Sequence, residues 1–201
     1  MSIDLKIFPD IRAVPYNDLR STIRTGDILL CSGNGLFSKF IKRATDSIWS
    51  HVAFILRVPS LNRIMLFESV ETVGVRTVPL SSYICNYNSS RKSYDGKILI
   101  ARHAEFDLSK IRDLSHKAVD LLGYPYDFFE IAKISARLLM RWAKFLPKSM
   151  EDNGSYICSE YAFECYKSIG VDINHDRLGF VTPRDFAATP KIYAVGVPLL
   201  E

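Results

Sequence analysis

Two apolar runs on either side of a short turn decide the fold of this chain. They are Val52-Ala53-Phe54-Ile55-Leu56-Arg57-Val58 and Arg63-Ile64-Met65-Leu66-Phe67-Glu68-Ser69, with Pro59-Ser60-Leu61-Asn62 between them. β-branched and aromatic residues are enriched in strands, whereas Pro, Ser and Asn are typical of turns. The stretch therefore predicts an antiparallel β-hairpin.

Further strands and helices surround this hairpin in the sequence. Gly26-Asp27 is a turn signal before a short apolar run, and runs of that length are typical of buried strands. Patterns of this kind predict strands at 28–31, 74–78, 97–102 and 191–197, and helices at 36–44, 107–122, 128–148 and 155–169. A central group of strands with helices before and after it predicts an α+β fold, with a central antiparallel sheet packed with helices.

Length and composition favour one domain. The chain has 201 residues, of which 48% are hydrophobic, which is enough for a sizeable core but short for two ordinary domains. We therefore expect a single domain over residues 1–201. Its 26 basic and 22 acidic residues give a net charge of +4. Such a mild excess does not indicate nucleic-acid binding, and we expect no nucleic-acid partner.

The cysteines point to a reducing compartment. Cys31, Cys85, Cys158 and Cys165 form no Cys-x-x-Cys pair and have no close histidine, a pattern that disfavours structural zinc. Free thiols fit a reducing compartment. The N-terminal residues lack the apolar stretch of a signal peptide, and no later run approaches the length of a membrane span. We expect a cytoplasmic protein with no metal and no organic cofactor.

Cys158 stands where a glycine-containing approach, residues 152–155, gives way to a helical pattern. The first turn of a helix has free backbone N–H groups and the positive end of the macrodipole, both of which favour thiolate over thiol. A thiolate attacks carbonyl carbons, so Cys158 is a candidate nucleophile. The alternative is a buried structural cysteine.

His51 and Glu68 are the candidate partners of that thiol. His51 lies between a polar serine and the apolar run 52–58, so its imidazole is expected to be half-buried and firmly oriented. If the hairpin strands pair about residues 59–62, the start of one strand faces the end of the other, which brings Glu68 near His51. A carboxylate there fixes the imidazole tautomer and stabilises imidazolium.

Each of these assignments has a plainer alternative. His51 can be a histidine hydrogen-bonded to a loop, and Glu68 can be an edge carboxylate in water. Glu71, three residues further on, replaces Glu68 if the register differs. Three other histidines are predicted to be solvated surface residues: His103, His116 and His175.

Short motifs occur along the chain in a characteristic order. The opening half has Gly26-Asp27-Ile28-Leu29-Leu30 and Trp49-Ser50-His51-Val52-Ala53, and the closing half has Gly123-Tyr124-Pro125-Tyr126-Asp127 and Tyr156-Ile157-Cys158-Ser159-Glu160. In this order the sequence resembles the NlpC-type papain-like cysteine hydrolases of the circularly permuted branch, the YiiX-like bacterial proteins and their poxvirus relatives, where the histidine precedes the cysteine. It is similar more distantly to the lecithin:retinol acyltransferase group.

The resemblance implies a circularly permuted papain-like fold and a set of four catalytic residues. It makes Cys158 the nucleophile, His51 the base, Glu68 the polar third member and Tyr126 a contributor to the oxyanion hole. A phenolic hydroxyl can donate to developing negative charge together with the Cys158 N–H, whereas the alternative for Tyr126 is a core tyrosine. Ile157 stands where the cell-wall enzymes have Asp, and the gap from Tyr126 to Cys158 is longer than theirs. Peptidoglycan specificity is therefore not carried over.

The long gap before Cys158 contains an amphipathic pattern over 128–148, which predicts a helical insertion at about 128–150. Its basic residues recur every three or four positions beside an apolar stripe. Such a helix packs its apolar face on the domain, or it lies as a lid on an anionic lipid surface beside the active site. The basic positions are Lys133, Arg137, Arg141, Lys144 and Lys148.

Together these features predict a cysteine hydrolase, an amidase or peptidase that cleaves an amide bond through a thioester intermediate. The expected substrates are a small peptide, an amino-acid conjugate or an acylated lipid. Two alternatives remain open. One is a non-catalytic ligand-binding module on the same scaffold, and the other is a lipid-directed acyltransferase or esterase.

Overall fold

An antiparallel sheet forms the centre of the computed structural model, which describes residues 2–127, 155–175 and 180–200. Within the described residues the sheet has six strands: β1 (Asp27–Gly33), β2 (His51–Val58), β3 (Arg63–Val70), β4 (Gly74–Pro79), β5 (Gly96–His103) and β6 (Ile192–Gly196). Their order across the sheet is β4-β3-β2-β1-β5-β6, and each neighbouring pair is antiparallel. The predicted α+β fold with a central antiparallel sheet is confirmed.

The predicted hairpin lies inside this sheet as β2 and β3. The two strands pair from Phe54 opposite Phe67 to Val58 opposite Arg63. A short 3₁₀ turn, Pro59–Leu61, joins them and ends at Asn62 in the left-handed region, with φ of 48°. Asparagine tolerates that conformation better than most residues, which explains how so short a turn closes the hairpin.

Helices cover both faces of the sheet. They are α1 (Tyr16–Leu19), α2 (Leu36–Ala44), α3 (Leu80–Cys85), α4 (Ile111–Asp120), α5 (Cys158–Ser168) and α6 (Pro183–Ala188). Successive strand residues point to opposite faces. Phe54 therefore packs in a core with residues of α4, α5 and α6, and its neighbour Ile55 packs in a second core with residues of α1 and α3. Burial on both faces explains why the run 52–56 is apolar without interruption.

Two predicted helices start later than expected. The pattern over 107–122 predicted one helix, but Asp107 caps a 3₁₀ turn, Leu108–Lys110, by accepting a hydrogen bond from the Ser109 N–H at 2.8 Å, and α4 follows that turn. The helix predicted over 155–169 also begins later than its pattern indicated. Ile157 has an extended backbone conformation, and α5 begins at Cys158. The helix predicted at 128–148, and with it the insertion at about 128–150, lies outside the described residues.

The described residues on either side of 128–154 lie next to each other. The Tyr156 N–H donates to the Pro125 carbonyl at 3.0 Å, and the Ser155 hydroxyl donates to Asp127 Oδ2 at 2.8 Å. The free-energy cost of closing a loop grows only slowly with its length, so ends that meet can accommodate a long intervening segment. Within the described ranges, no helix has the length and apolar character needed to cross a membrane.

Gly74 allows the segment before residue 128 to approach the edge of the sheet. Its φ is +83°, and a Cβ atom there would lie 2.1 Å from the Tyr124 carbonyl oxygen. The neighbouring Val75 donates its N–H to that same oxygen at 2.8 Å and accepts the Gly123 N–H at 3.0 Å. Residues 123–126 are thereby held against β4.

We expect Gly74→Ala to lower the free energy of unfolding by about 1–3 kcal/mol, because alanine adds both backbone strain and a collision with the backbone. The measurement is the thermal unfolding midpoint by circular dichroism. Gly35→Ala is the matched control, since Gly35 has φ of −61° and nothing lies within 4 Å of an added Cβ. Equal midpoints for the two variants would contradict this close approach at Gly74.

Candidate active site

Cys158 is the first residue of α5, and the structure buries it at 4% exposure. The first α-helical bond of α5 runs from the Tyr161 N–H to the Ile157 carbonyl at 3.0 Å. The N–H groups that precede it in the helix have no acceptor in the previous turn and point toward the N-terminus. The Cys158 thiol therefore lies at the positive end of the helix dipole, where negative charge is stabilised.

Ser69 and Glu160 hold the approach to Cys158. The Ser69 hydroxyl, near the end of β3, donates to the Tyr156 carbonyl at 2.6 Å. The Glu160 carboxylate accepts the Ile157 N–H at 3.3 Å. These contacts position the two residues before Cys158 and thereby the start of the helix. The Glu160 contact is local, because it spans three residues at the start of α5, whereas the Ser69 contact joins residues 87 positions apart and could not be read from local sequence.

His51 and Glu68 lie side by side at the end of the hairpin. Continuing the register by one residue from Phe54 opposite Phe67 sets Ala53 opposite Glu68. His51 is two residues from Ala53 and so lies on the same face, diagonal to Glu68. The structure places His51 Nε2 2.8 Å from Glu68 Oε2. Glu71, the alternative partner in sequence, lines the cavity described below instead.

Two further side chains hold Glu68, whose side chain is fully buried. Arg76 Nε donates to Oε1 at 2.9 Å, and the Tyr83 hydroxyl donates to Oε2 at 2.5 Å. Burial by itself raises the pKa of Glu68, but His51, Arg76 and Tyr83 outweigh it and lower that pKa below its ordinary value of 4.5. Glu68 is therefore an ionised, fixed acceptor for His51 at neutral pH.

His51 contacts Cys158 as well as Glu68. Burial alone would lower the pKa of His51, but the charges of Cys158 and Glu68, and hydrogen bonds to both side chains, raise it to about 10. Since Glu68 engages Nε2, Nδ1 is the ring nitrogen left for the Cys158 sulfur. One imidazole thus lies in hydrogen-bond contact with both the Cys158 sulfur and the Glu68 carboxylate.

Tyr126 lies beside this pair. Residues 123–126 are anchored to β4 as described above, and the Tyr126 ring makes an edge contact with Phe37 of α2 at 6.5 Å between centroids. Burial, and next the negative charge of Cys158, raise the pKa of Tyr126. Its hydroxyl is therefore protonated at neutral pH and can donate a hydrogen bond.

The structure brings Cys158, His51 and Tyr126 to the wall of one cavity of about 320 Å³. Glu71 and Asp95 contribute carboxylates to the same wall, and Tyr87 and Tyr94 add aromatic surface. A small apolar pocket adjoins it, and both cavities share the wall formed by Tyr126 and Cys158. The apolar pocket is lined also by Phe40, Ile41, Ala44 and Ile157. The thiol thus lies between a polar cavity and an apolar pocket.

Comparison with known proteins identifies the family of this chain. The family described as permuted papain-like amidase enzymes of the YaeF/YiiX type, the C92 family, matches residues 22–138, more than half of the chain. The chain belongs to this family. The matched region includes His51, Glu68 and Tyr126 and ends before Cys158. As a member of the YaeF/YiiX family the chain is a cysteine hydrolase in the broad sense, and its predicted resemblance is confirmed.

Among solved structures, that of the metalloprotein YiiX from Escherichia coli O157:H7 is similar to this chain. The two share 21% identity with a TM-score of 0.63, over 88% of this chain and 98% of YiiX. The similarity confirms the permuted papain-like fold. No curated protein sequence matches this chain.

The description of YiiX as a metalloprotein raises the question of a metal in this chain. Within residues 2–127, 155–175 and 180–200, no group of three or more His, Cys, Asp or Glu side chains is placed to hold an ion. The described residues of this YaeF/YiiX family member therefore do not fit a metal centre with three such ligands.

One prediction about the histidines is wrong. His103 was expected to be a solvated surface residue, but it is buried at 2% exposure at the end of β5, where its Nδ1 accepts the Glu105 N–H at 3.2 Å. Its place in a strand with a covered face explains the burial. His116 and His175 are exposed, as predicted.

Arg76 and Tyr83 were missed in the sequence. Arg76 could have been found from the sequence. If the strands on either side of residues 71–73 pair as a hairpin, Glu68 lies directly opposite Arg76, as it does between β3 and β4. Tyr83 lies in α3, and no local pattern connects that helix with Glu68.

Proposed function

We propose that this YaeF/YiiX family member is an amidase or peptidase with a Cys158, His51 and Glu68 triad. The contact of one imidazole with both the Cys158 sulfur and the Glu68 carboxylate carries the proposal. A pure ligand-binding module would not need a nucleophile, a base and an orienting carboxylate in contact at a cavity wall.

In the proposed reaction the Cys158 thiolate attacks the carbonyl carbon of an amide, forming a tetrahedral intermediate. The Tyr126 hydroxyl and the Cys158 N–H donate hydrogen bonds to its oxyanion. The His51 imidazolium then gives its proton to the leaving amine as the C–N bond breaks, leaving a thioester. His51, now neutral, takes a proton from water, which attacks the thioester, releases the acid and restores the thiolate.

The cavity supports a choice of substrate class. Glu71 and Asp95 line it, which suits a small peptide or amino-acid conjugate with a cationic group near the scissile amide. The apolar pocket on the other side of Cys158 favours an acyl chain as a second candidate, so an acyl amide or ester, cleaved or transferred, is also proposed.

The basic pattern over 128–148 leads us to propose contact with an anionic lipid surface, on sequence alone. Four free cysteines suit the reducing cytoplasm.

Thiol labelling tests the proposed nucleophile. We expect iodoacetamide at about pH 5.5 to modify Cys158 before Cys85, because a sulfur that contacts a histidine at a helix N-terminus is more reactive than an isolated thiol. Peptide mass spectrometry measures the modified fraction of each cysteine. Cys85 is exposed and Cys158 is buried, so accessibility alone predicts the reverse order. Faster labelling of Cys85 would reject Cys158 as the nucleophile.

The same chemistry identifies the substrate class. Incubation with libraries of amides and esters is expected to leave an acyl adduct on Cys158, detected as a mass increase of its peptide. Adducts from peptides with a free amine support the amino-acid class, and adducts from fatty-acyl esters support the lipid class. Tight binding without any adduct would favour a non-catalytic module.

A further inference from the structure

A partly buried ion pair lies next to the proposed triad, where Arg76 contacts Glu68. Arg76 in β4 pairs directly opposite Glu68 in β3. Its Nε and Nη2 both lie 2.9 Å from Glu68 Oε1, which leaves Oε2 for His51 at 2.8 Å and Tyr83 at 2.5 Å. The two carboxylate oxygens are thus divided between Arg76 and the residues of the site.

A short 3₁₀ turn, Tyr87–Ser89, provides a second contact for Arg76. Arg76 Nη2 donates to the Asn88 side-chain oxygen at 3.1 Å, and Asn88 has φ of +50°, a conformation that asparagine tolerates. The Arg76 side chain is 18% exposed. Its guanidinium is therefore mostly shielded from water and is held at two points, which strengthens its effect on Glu68 relative to a surface pair.

The charges near Glu68 explain why this contact is needed. The titratable groups that face Glu68 or His51 come from several elements and are Cys31, Cys158, Glu71, Arg76, Tyr83 and Tyr87. Burial raises the pKa of Cys31, Tyr83 and Tyr87, so these three are neutral at neutral pH. Without Arg76 the Cys158 thiolate and the Glu68 carboxylate would share a single imidazolium, and a buried charge without a partner is costly.

We propose that Arg76 is a positioning residue of the reaction, which holds the buried Glu68 carboxylate against His51 and completes an alternating row of charges from Cys158 to the guanidinium. The inference rests on the proposed function. Arg76 does not line the cavity and acts on the thiolate only through Glu68 and His51. Its loss is expected to let Glu68 take up a proton at higher pH, after which His51 no longer stabilises the thiolate.

The test is the pH dependence of Cys158 alkylation by iodoacetamide, measured by peptide mass spectrometry in the wild type, Arg76→Met, Arg76→Lys and Arg63→Met. An opposite charge at this distance shifts the pKa of a carboxyl by about 1–3 units, so we expect Arg76→Met to move the acidic limb of the rate profile upward by about one pH unit. Arg76→Lys keeps the charge and is expected to move the limb less. Arg63 is exposed at the start of β3, and its variant is expected to match the wild type.

The outcomes separate this inference from the proposed function. If wild-type Cys158 is alkylated no faster than Cys85 at low pH, the proposed function fails. If wild-type Cys158 is selectively alkylated but Arg76→Met has the same acidic limb with a lower plateau, Arg76 is structural and the inference fails. Should Arg76→Met not fold, Asn88→Gly removes the second support of the guanidinium while keeping the turn conformation. It is then expected to shift the limb in the same direction, and an unshifted limb overturns the inference.

Discussion

Cys158→Ala is expected to reduce amide turnover by about 10⁴-fold or more while leaving the fold intact, because the variant has no atom that can form the thioester. Substitution by alanine removes a single sulfur atom at the end of a helix, so the circular dichroism spectrum is expected to match that of the wild type. The measurement is hydrolysis of the substrate found by adduct mapping.

Cys165→Ala is the matched control for this variant. Cys165 lies seven residues further along α5, is buried in the core and does not line either cavity beside Cys158. It is expected to retain turnover. His51→Asn is expected to lose as much activity as Cys158→Ala, and the double variant no more than either, because the two residues act as a unit. Losses that add in the double variant would contradict a shared nucleophile and base.

Glu68→Gln is expected to reduce both activity and stability. Glutamine has a similar shape but no charge, so His51 and Arg76 lose their ionic partner in a buried site. Breaking a buried ion pair costs about 3–5 kcal/mol. Loss of a well-oriented base is expected to lower turnover by about 10²- to 10⁴-fold. The measurements are urea unfolding and hydrolysis near neutral pH.

The pH dependence of stability distinguishes a charge effect from a packing effect at Glu68. The pKa of Glu68 in the folded state lies below its ordinary value of 4.5, so its ionised form contributes stability above pH 4.5. That contribution is lost as the pH falls through the lower, folded-state pKa. The difference in unfolding free energy between the wild type and Glu68→Gln is therefore expected to be large at pH 7 and to shrink below pH 4.5.

Glu105→Gln supplies the control for this comparison. Glu105 is exposed and pairs with Lys191 at 2.6 Å at the surface. Exposed pairs contribute little, so the free energy of unfolding of this variant is expected to match that of the wild type at both neutral and acidic pH. A difference for Glu68→Gln that stays constant from neutral to acidic pH would mean that Glu68 stabilises the fold by packing rather than by charge.

Much of the sheet could be predicted from the sequence because its cause is local. The strands within 27–33, 51–58, 63–70 and 96–103 are short apolar runs bounded by turn residues, and the turn at 59–62 sets the pairing of β2 and β3. The same pairing predicts that Glu68 lies near His51, as the structure shows. Helix starts were less predictable, since α5 begins three residues later than its pattern indicated. One contact at this start, from the Ser69 hydroxyl to the Tyr156 carbonyl, joins residues 87 positions apart, so the local pattern does not contain it.

The sequence by itself determined the hairpin and the α+β class, because strand periodicity and turn chemistry are local properties. The residue types of the proposed triad followed from the order of short motifs along the chain and the family resemblance that this order carries. Only the tertiary structure decided what surrounds them. In the structure His51 contacts Glu68 and not Glu71, and Arg76 and Tyr83 donate hydrogen bonds to the Glu68 carboxylate. Cys158 lies between two cavities. These contacts join residues from different strands and helices, and burial, which decides their charges, is a property of the packed molecule.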